Sequence, residues 1–213
     1  KLVRNNRTLE LDSFSVESGI NNGKRELYVF SEVMDAHLTG NFQLTQLANS
    51  FNNYLARLLP NTLKLDQVPI SRQEFEFVIN LKETKEIISV FTENVWVDKG
   101  YLAGSYDSDI NKMKLDIDAE NIHYNKYDFA GIKFNAYPEN GDTGQVIFDL
   151  KAPSIKLNDS SIAENLVLRL NVAKEKVDYR LAMGSRLTGS SLNMLGRILF
   201  TDSTATVHFT DAA

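Results

Sequence analysis

The sequence predicts a mainly β protein: an elongated, curled, antiparallel-rich sheet forming a half-pipe or groove. It is interrupted by one amphipathic helix near 45–59 and a short helix near 84–91. Three observations carry this. Apolar residues alternate with polar ones over long runs, turn residues separate the runs, and a two-strand unit recurs after 33 residues.

The alternation has period two, the side-chain period of a strand. Leu115, Ile117 and Ala119 alternate with Asp116 and Asp118, and Phe148, Leu150 and Ala152 with Asp149 and Lys151. Leu166, Leu168, Leu170 and Val172 form a third run, and Val177, Tyr179, Leu181 and Met183 a fourth. Each run puts an apolar row on one face and a mostly polar row on the other, as in antiparallel sheets wet on one side. Asn21-Asn22-Gly23 and Pro138-Glu139-Asn140-Gly141-Asp142 are hairpin or loop signals. Asn158-Asp159-Ser160-Ser161 and Lys174-Glu175-Lys176 mark further reversals.

Two segments depart from this period. Leu44, Leu47, Phe51, Tyr54, Leu55 and Leu58 recur at helical spacing before Pro60, which predicts an amphipathic helix over Thr45–Leu59. Thr84 can cap a shorter helix carrying Ile87, Ile88 and Phe91. Leu192, Leu195 and Leu199 also suit a turn of helix over Ser191–Leu199, although Gly189 and Gly196 flank or interrupt it.

The repeat aligns Leu115–Ile122 with Phe148–Ile155, and the following Ile132, Phe134 and Ala136 with Leu166, Leu168 and Leu170. In both copies the apolar phase slips after an alanine: Ala119 is followed by Ile122, and Ala152 by Ile155. Such a slip turns side chains onto the wrong face unless the backbone absorbs it. Pro153, which lacks a ladder donor, stands at the slip. A bulge or strand break is therefore expected there. Accretion of hairpins gives about ten to fourteen strands and a sheet on the order of 50–65 Å long. The chain reads as a single repeat-built segment, 1–213, of a larger protein.

Composition bounds the function. Of 213 residues, 43% are hydrophobic and 24% charged, enough apolar surface for a core. The net charge of −5 lacks the basic excess of a nucleic-acid binder, and no Lys/Arg cluster suggests a polybasic membrane anchor. The absence of cysteine removes disulfides, thiol nucleophiles and cysteine-type zinc sites. No apolar run is long enough to span a membrane as a helix. The chain starts at Lys1 without a signal peptide and reads as an excised or processed fragment.

No catalytic pattern emerges, so neither an enzyme nor a cofactor is expected. His37, His123 and His208 are scattered through strand-like runs, without metal-ligand spacing. There is no Gly-x-Ser-x-Gly, phosphate-binding loop or dinucleotide fingerprint. Asp116 and Asp118 read as the wet face of a strand, and Asp107-Ser108-Asp109 as a turn without the later glutamate of a calcium loop. Trp96, Tyr101, Tyr106, Tyr124 and Tyr127 read as strand aromatics rather than a sugar-stacking surface.

Four stretches resemble the large AsmA/TamB-type proteins of Bacteroidota envelopes. They are Phe30–Phe42, the Leu47–Leu55 helix running into Leu58-Leu59-Pro60, Gly100–Asp107, and the repeated strand with Ala119 or Ala152-Pro153 before the slip. The likeness is one of spacing and residue type and covers Ser13 to about Val172. It implies a β-rich half-pipe with an apolar interior, located in the periplasm or cell envelope. It also implies phospholipid transport between inner and outer membrane, and outer-membrane biogenesis with an Omp85-type partner in a translocation and assembly module. Membrane contact would come only through regions outside this sequence.

The residues fit that expectation independently. A repeat-built sheet with one continuous apolar face is a trough, and an acyl chain laid in it gains up to about 0.8 kcal/mol per buried CH₂. The expected lining is Leu115, Ile117, Ile122, Phe134, Phe148, Leu150, Ile155, Leu166, Leu168, Leu170, Tyr179 and Leu181. The alternation alone favours the closed core of a sandwich or barrel; the repeat and the resemblance reverse that preference towards an open groove. Two functions stay open: a conduit for phospholipid acyl chains, and a protein-interaction scaffold offering a strand edge to clients.

Overall fold

The computed structural model describes residues 2–4, 7–9, 13–59, 71–82, 84–85, 94–139, 142–185, 188–201 and 204–212. Strands β1 (Leu2–Arg4) and β2 (Arg7–Leu9) form a small hairpin. The N-terminal part of the main sheet is β3 (Phe14–Asn21), β4 (Lys24–Ser31) and β5 (Met34–Asn41). A 3-10 turn (Leu44–Gln46) and helix α1 (Leu47–Leu58) follow, before β6 (Glu74–Leu81), β7 (Val95–Val97) and β8 (Gly100–Asp107). The long strands are β9 (Lys112–Tyr124), β10 (Tyr127–Glu139), β11 (Asp142–Leu157) and β12 (Ser160–Ala173). The last three are β13 (Lys176–Gly184), β14 (Ser191–Phe200) and β15 (Ala205–Ala212).

Strands β3 to β15 make one 13-stranded antiparallel sheet, each pairing with its neighbour in sequence except where β7 sits beside β8 against β9. It is curled and does not close: β3 is one edge and β15 the other. The twelve strands along its path extend about 53 Å at the usual inter-strand spacing. The closed sandwich or barrel that the alternation alone favours is not what forms.

Tight reversals set the order. Asn22 and Gly23 have φ of 50° and 77°, Asn158 and Asp159 47° and 65°, and Lys174 and Glu175 38° and 65°. Left-handed conformation at both central residues is the hairpin geometry whose twist matches the flanking strands. Asn, Asp and Gly tolerate it well. At Lys174-Glu175 the surroundings impose it: the Glu175 amide donates to the Leu58 carbonyl (3.2 Å), and the Phe200 amide to that of Glu175 (2.8 Å).

The phase slip is absorbed along a line crossing the sheet. Residues Asp98–Lys99, Glu120, Gly131, Pro153 and Asn165 stand opposite one another on successive strands, and pairing skips each of them. Gly131 (φ 64°) and Asn165 (φ 53°) are left-handed there, a region open to glycine and tolerated by asparagine. The β9–β10 and β10–β11 registers are the same on both sides of the line, because these strands slip together. The β7–β8 segment breaks at the line, and β12 shifts by one against β13. Apolar side chains three residues apart thus stay on one face: Ala119 and Ile122, Phe129 and Ile132, Ala152 and Ile155, Ala163 and Leu166 form a single cluster.

Helix α1 lies at the other end of the strands. Tyr54 and Leu58 pack with Tyr106, Met113, Val146, Val172 and Val177, five side chains from five strands. Tyr106 donates to the Ser50 carbonyl (3.4 Å) near the helix start, while Leu58 accepts from Glu175 near its end. The helix therefore runs across the strands from β8 to the β12–β13 turn. Burial, then the neighbouring Tyr106, pushes the Tyr54 phenol up to about 12.

A buried polar knot anchors the helix start. Gln73 Oε1 accepts the Gln43 amide (2.9 Å), Gln73 N donates to Ser108 Oγ (3.0 Å), and Gln46 Oε1 accepts from Ser71 N and Oγ (2.9 and 2.8 Å). Gln73 is fully buried. Truncating it leaves the Gln43 amide without its acceptor, a loss of about 1–3 kcal/mol. Gln73→Ala is expected to lower the unfolding midpoint accordingly; an unchanged urea midpoint would show that the knot does not anchor the helix.

The predicted helix over Thr45–Leu59 is present, its first turn being 3-10. Ser191–Leu199 is not helical but strand β14. Leu192, Met194, Gly196, Ile198 and Phe200 turn inward in alternation, a period-two signal obscured by the leucine spacing, and β13 and β15 pair with both edges of the strand. The helix near 84–91 falls, beyond Lys85, outside the described residues. Thr84 itself bonds to β7, its hydroxyl donating to the Val97 carbonyl (2.6 Å) and accepting its amide (3.0 Å).

Candidate functional site

Directly opposed residues of antiparallel strands point to the same face, so the register identifies what lines the sheet. One row passes through Val16, Val29, Ala36, Ile79, Leu102, Ile117, Phe134, Leu150, Leu168, Leu181 and Met194. It is apolar in eleven consecutive strands. The adjacent row, nearer α1, holds Phe77, Gly104, Leu115, Ala136, Phe148, Leu170, Tyr179 and Gly196. Towards the line of skipped residues, which forms a crease, lies the row of Leu81, Ala119, Ile132, Ala152 and Leu166, and beyond it the row of Val97, Ile122, Phe129, Ile155 and Ala163.

All twelve sequence-predicted lining residues therefore share one face. Leu115, Phe148, Leu170 and Tyr179 are in the row nearer α1, and Ile117, Phe134, Leu150, Leu168 and Leu181 in the long central row. Leu166 is on the near side of the crease, and Ile122 and Ile155 are on the far side. Those in the two middle rows are half-buried, so the face is apolar yet not sealed. The Phe134 and Phe148 rings sit 6.1 Å apart on neighbouring strands.

The sequence reading missed the extension of the central row into β3–β6. In β4 and β6, apolar residues such as Tyr28, Phe30 and Val78 also occupy the outer face, which hides the alternation. Tyr28 there stacks on His37 with centroids 4.2 Å apart.

The outer face of the later strands is a mesh of cross-strand ion pairs. Lys133 meets Asp118 (2.9 Å), Arg197 meets Asp178 (2.5 Å), and Tyr137 donates to Asp149 (2.8 Å). Asp118, Asp149 and Asp178, which alternate with lining residues, are thus occupied by cations or a hydroxyl. No group of three or more His, Asp or Glu able to hold a metal ion occurs among the described residues, and no described helix is long and apolar enough to cross a membrane.

A second missed constellation surrounds His123. Its Nδ1 lies 2.5 Å from Asp128 Oδ1 and its Nε2 lies 3.2 Å from Asp98 Oδ2. Trp96 stacks on the imidazole at 4.5 Å, and the Lys85 ammonium sits 5.1 Å from the indole centroid. Asp128 is five residues from His123 but faces it across the hairpin, a proximity that linear spacing conceals. The group lies on the outer face and fastens β7 to β9, with which it pairs. Desolvation works to raise the Asp98 pKa. Hydrogen bonds from His123 and Asn121, and the nearby positive charges of His123 and Lys85, outweigh it and hold the carboxyl below its ordinary 3.8.

A depressed carboxyl pKa stabilises the fold above the ordinary value, and that contribution is lost as pH falls through the folded-state value. Acidification below about pH 4 is therefore expected to loosen β7. Asp98→Asn should flatten the acid limb of the stability profile; an identical acid limb in wild type and variant would exclude Asp98 as its source.

No protein-family model matches the chain, and neither a curated protein nor a solved structure does.

Proposed function

We propose that this chain is a non-enzymatic segment of a hydrophobic conduit, its inner face carrying the acyl chains of phospholipids. The supporting observation is the central row, apolar across eleven neighbouring strands of a sheet that does not close. A hydrocarbon chain there meets an equivalent surface at every strand. It loses little on moving from one strand to the next, as transport by sliding requires. Together with the resemblance to AsmA/TamB-type proteins, this supports a role in the cell envelope: movement of phospholipid between inner and outer membrane, coupled to outer-membrane biogenesis through an Omp85-type partner.

The test is native mass spectrometry of the purified chain with lipid extraction from the same sample. Near-stoichiometric co-purifying phospholipid is the expected result. A lipid-free mass, with no uptake of fluorescent phospholipid, would overturn the conduit reading.

The second reading is a scaffold for client β-strands. The open edges favour it: among the described residues β3 pairs only with β4, and its Phe14, Val16 and Ile20 are exposed. Unpaired edges of this kind accept added strands. Proline placed in β3 would impair a scaffold and spare a conduit.

A further inference from the structure

We propose that the cavity beneath helix α1 is an end-pocket for the methyl terminus of an acyl chain, an inference that rests on the conduit reading above. The cavity has a volume of ≈ 190 Å³ and lies between Leu47 and Phe51 of the helix and Phe77, Tyr106, Met113 and Leu115 of the sheet.

Its chemistry selects hydrocarbon. The polar residues on its wall are turned to other uses: the Ser50 hydroxyl donates to the Gln46 carbonyl (2.8 Å). Ser105 and Lys114 oppose each other on the outer face of β8 and β9, so they bring backbone and side-chain base to the wall rather than polar ends. A water placed there would lack the two to four polar partners it needs. Apolar cavities of about 150 Å³ stay dry and take up small hydrocarbons, so this volume suits the end of an alkyl chain and excludes a headgroup.

Its position selects the methyl end. Phe77 and Leu115 belong both to the cavity wall and to the row that runs on through Phe148 and Leu170, so the pocket is continuous with the trough. The helix roofs it on the side away from the crease. From Leu115 to Ile122 beyond the crease is seven residues of strand, about 24 Å, comparable to an extended long acyl chain. A phospholipid lying along the strands with its tail end under α1 therefore places its headgroup near the crease side of the trough. The pocket orients the lipid across the conduit.

The test uses two phosphatidylethanolamines, one with a photoreactive diazirine at the methyl end of its sn-2 chain and one with it beside the ester. Each is bound to the intact chain and irradiated, and the labelled peptides are sequenced. The methyl-end probe is expected to label α1 and Met113–Leu115 at least about tenfold more than the ester-end probe, a bias equivalent to tenfold occupancy. In Leu47→Trp, which fills the cavity from the helix side without altering any row of the sheet, that bias should disappear while total labelling persists. Equal labelling of α1 by both probes, or methyl-end labelling confined to the central row, overturns the pocket and leaves the conduit standing. Failure of both probes to label the inner face overturns the conduit and the pocket with it. The wild-type comparison decides the matter even if the tryptophan variant does not fold.

Discussion

Replacing Phe148 and Leu168 together by aspartate is expected to reduce bound phospholipid about 100-fold while leaving the sheet folded. The two residues are diagonal neighbours on β11 and β12, Phe148 opposing Leu170 and Leu168 opposing Leu150. Both are half-buried, so in the lipid-free chain the new carboxylates keep much of their hydration. An acyl chain covering them must strip that hydration and forgo several methylene contacts at about 0.8 kcal/mol each. A combined loss of about 3 kcal/mol corresponds to the 100-fold weakening. Phe148 also packs against the cluster under α1, so a lowered melting temperature is expected as well, and circular dichroism should report an intact sheet. Lys151→Asp, on the outer face of the same strand, is the control and should bind lipid like wild type. A folded double variant with undiminished lipid would show that these rows are not the conduit.

The largest effect on stability is expected at Gly40. Its φ of 138° is one that side-chain-bearing residues rarely adopt, and a Cβ there would collide with the Glu74 carbonyl oxygen and lie 2.7 Å from Phe75 Cα. Both contacts are backbone of β6, the strand that pairs with β5, so no side-chain rotation relieves them. Backbone strain of about 1–3 kcal/mol and a comparable overpacking cost together predict a loss of about 3 kcal/mol or more. In a chain of this size the midpoint should fall by roughly 10 °C. Gly19→Ala is the matched comparison, because nothing lies within 4 Å of its Cβ position. Equal melting temperatures for the two variants would refute the close-approach account. Separation of β5 from β6 would also cut the central row between Ala36 and Ile79, so Gly40 guards the continuity of the trough.

Much of this was legible in the residues because strand physics is local. The alternation of Leu115, Ile117 and Ala119 against Asp116 and Asp118 determines which side chains share a face, whatever the strand's neighbours. Ala119–Ile122 and Ala152–Ile155 announced the crease, because a three-residue apolar spacing cannot stay on one face of a regular strand. The α1 periodicity was equally local. Ser191–Leu199 misled because Leu192, Leu195 and Leu199 fit a helix as single residues. Pairing of both strand edges with β13 and β15 supplies hydrogen bonds that a short glycine-containing helix could not match.

By itself, then, the sequence determined the inner and outer faces of β9 to β13, helix α1 and the place of the slip, since each follows from side-chain period and turn chemistry within a few residues. Only the tertiary structure decided that the rows join into one open trough rather than a closed core. The same holds for the way the slip runs as a single line through five positions, for α1 roofing an apolar cavity, and for His123 lying between Asp98 and Asp128. These depend on register between strands and on how far the sheet curls. Both are set by summed contacts across tens of residues, which no local pattern specifies.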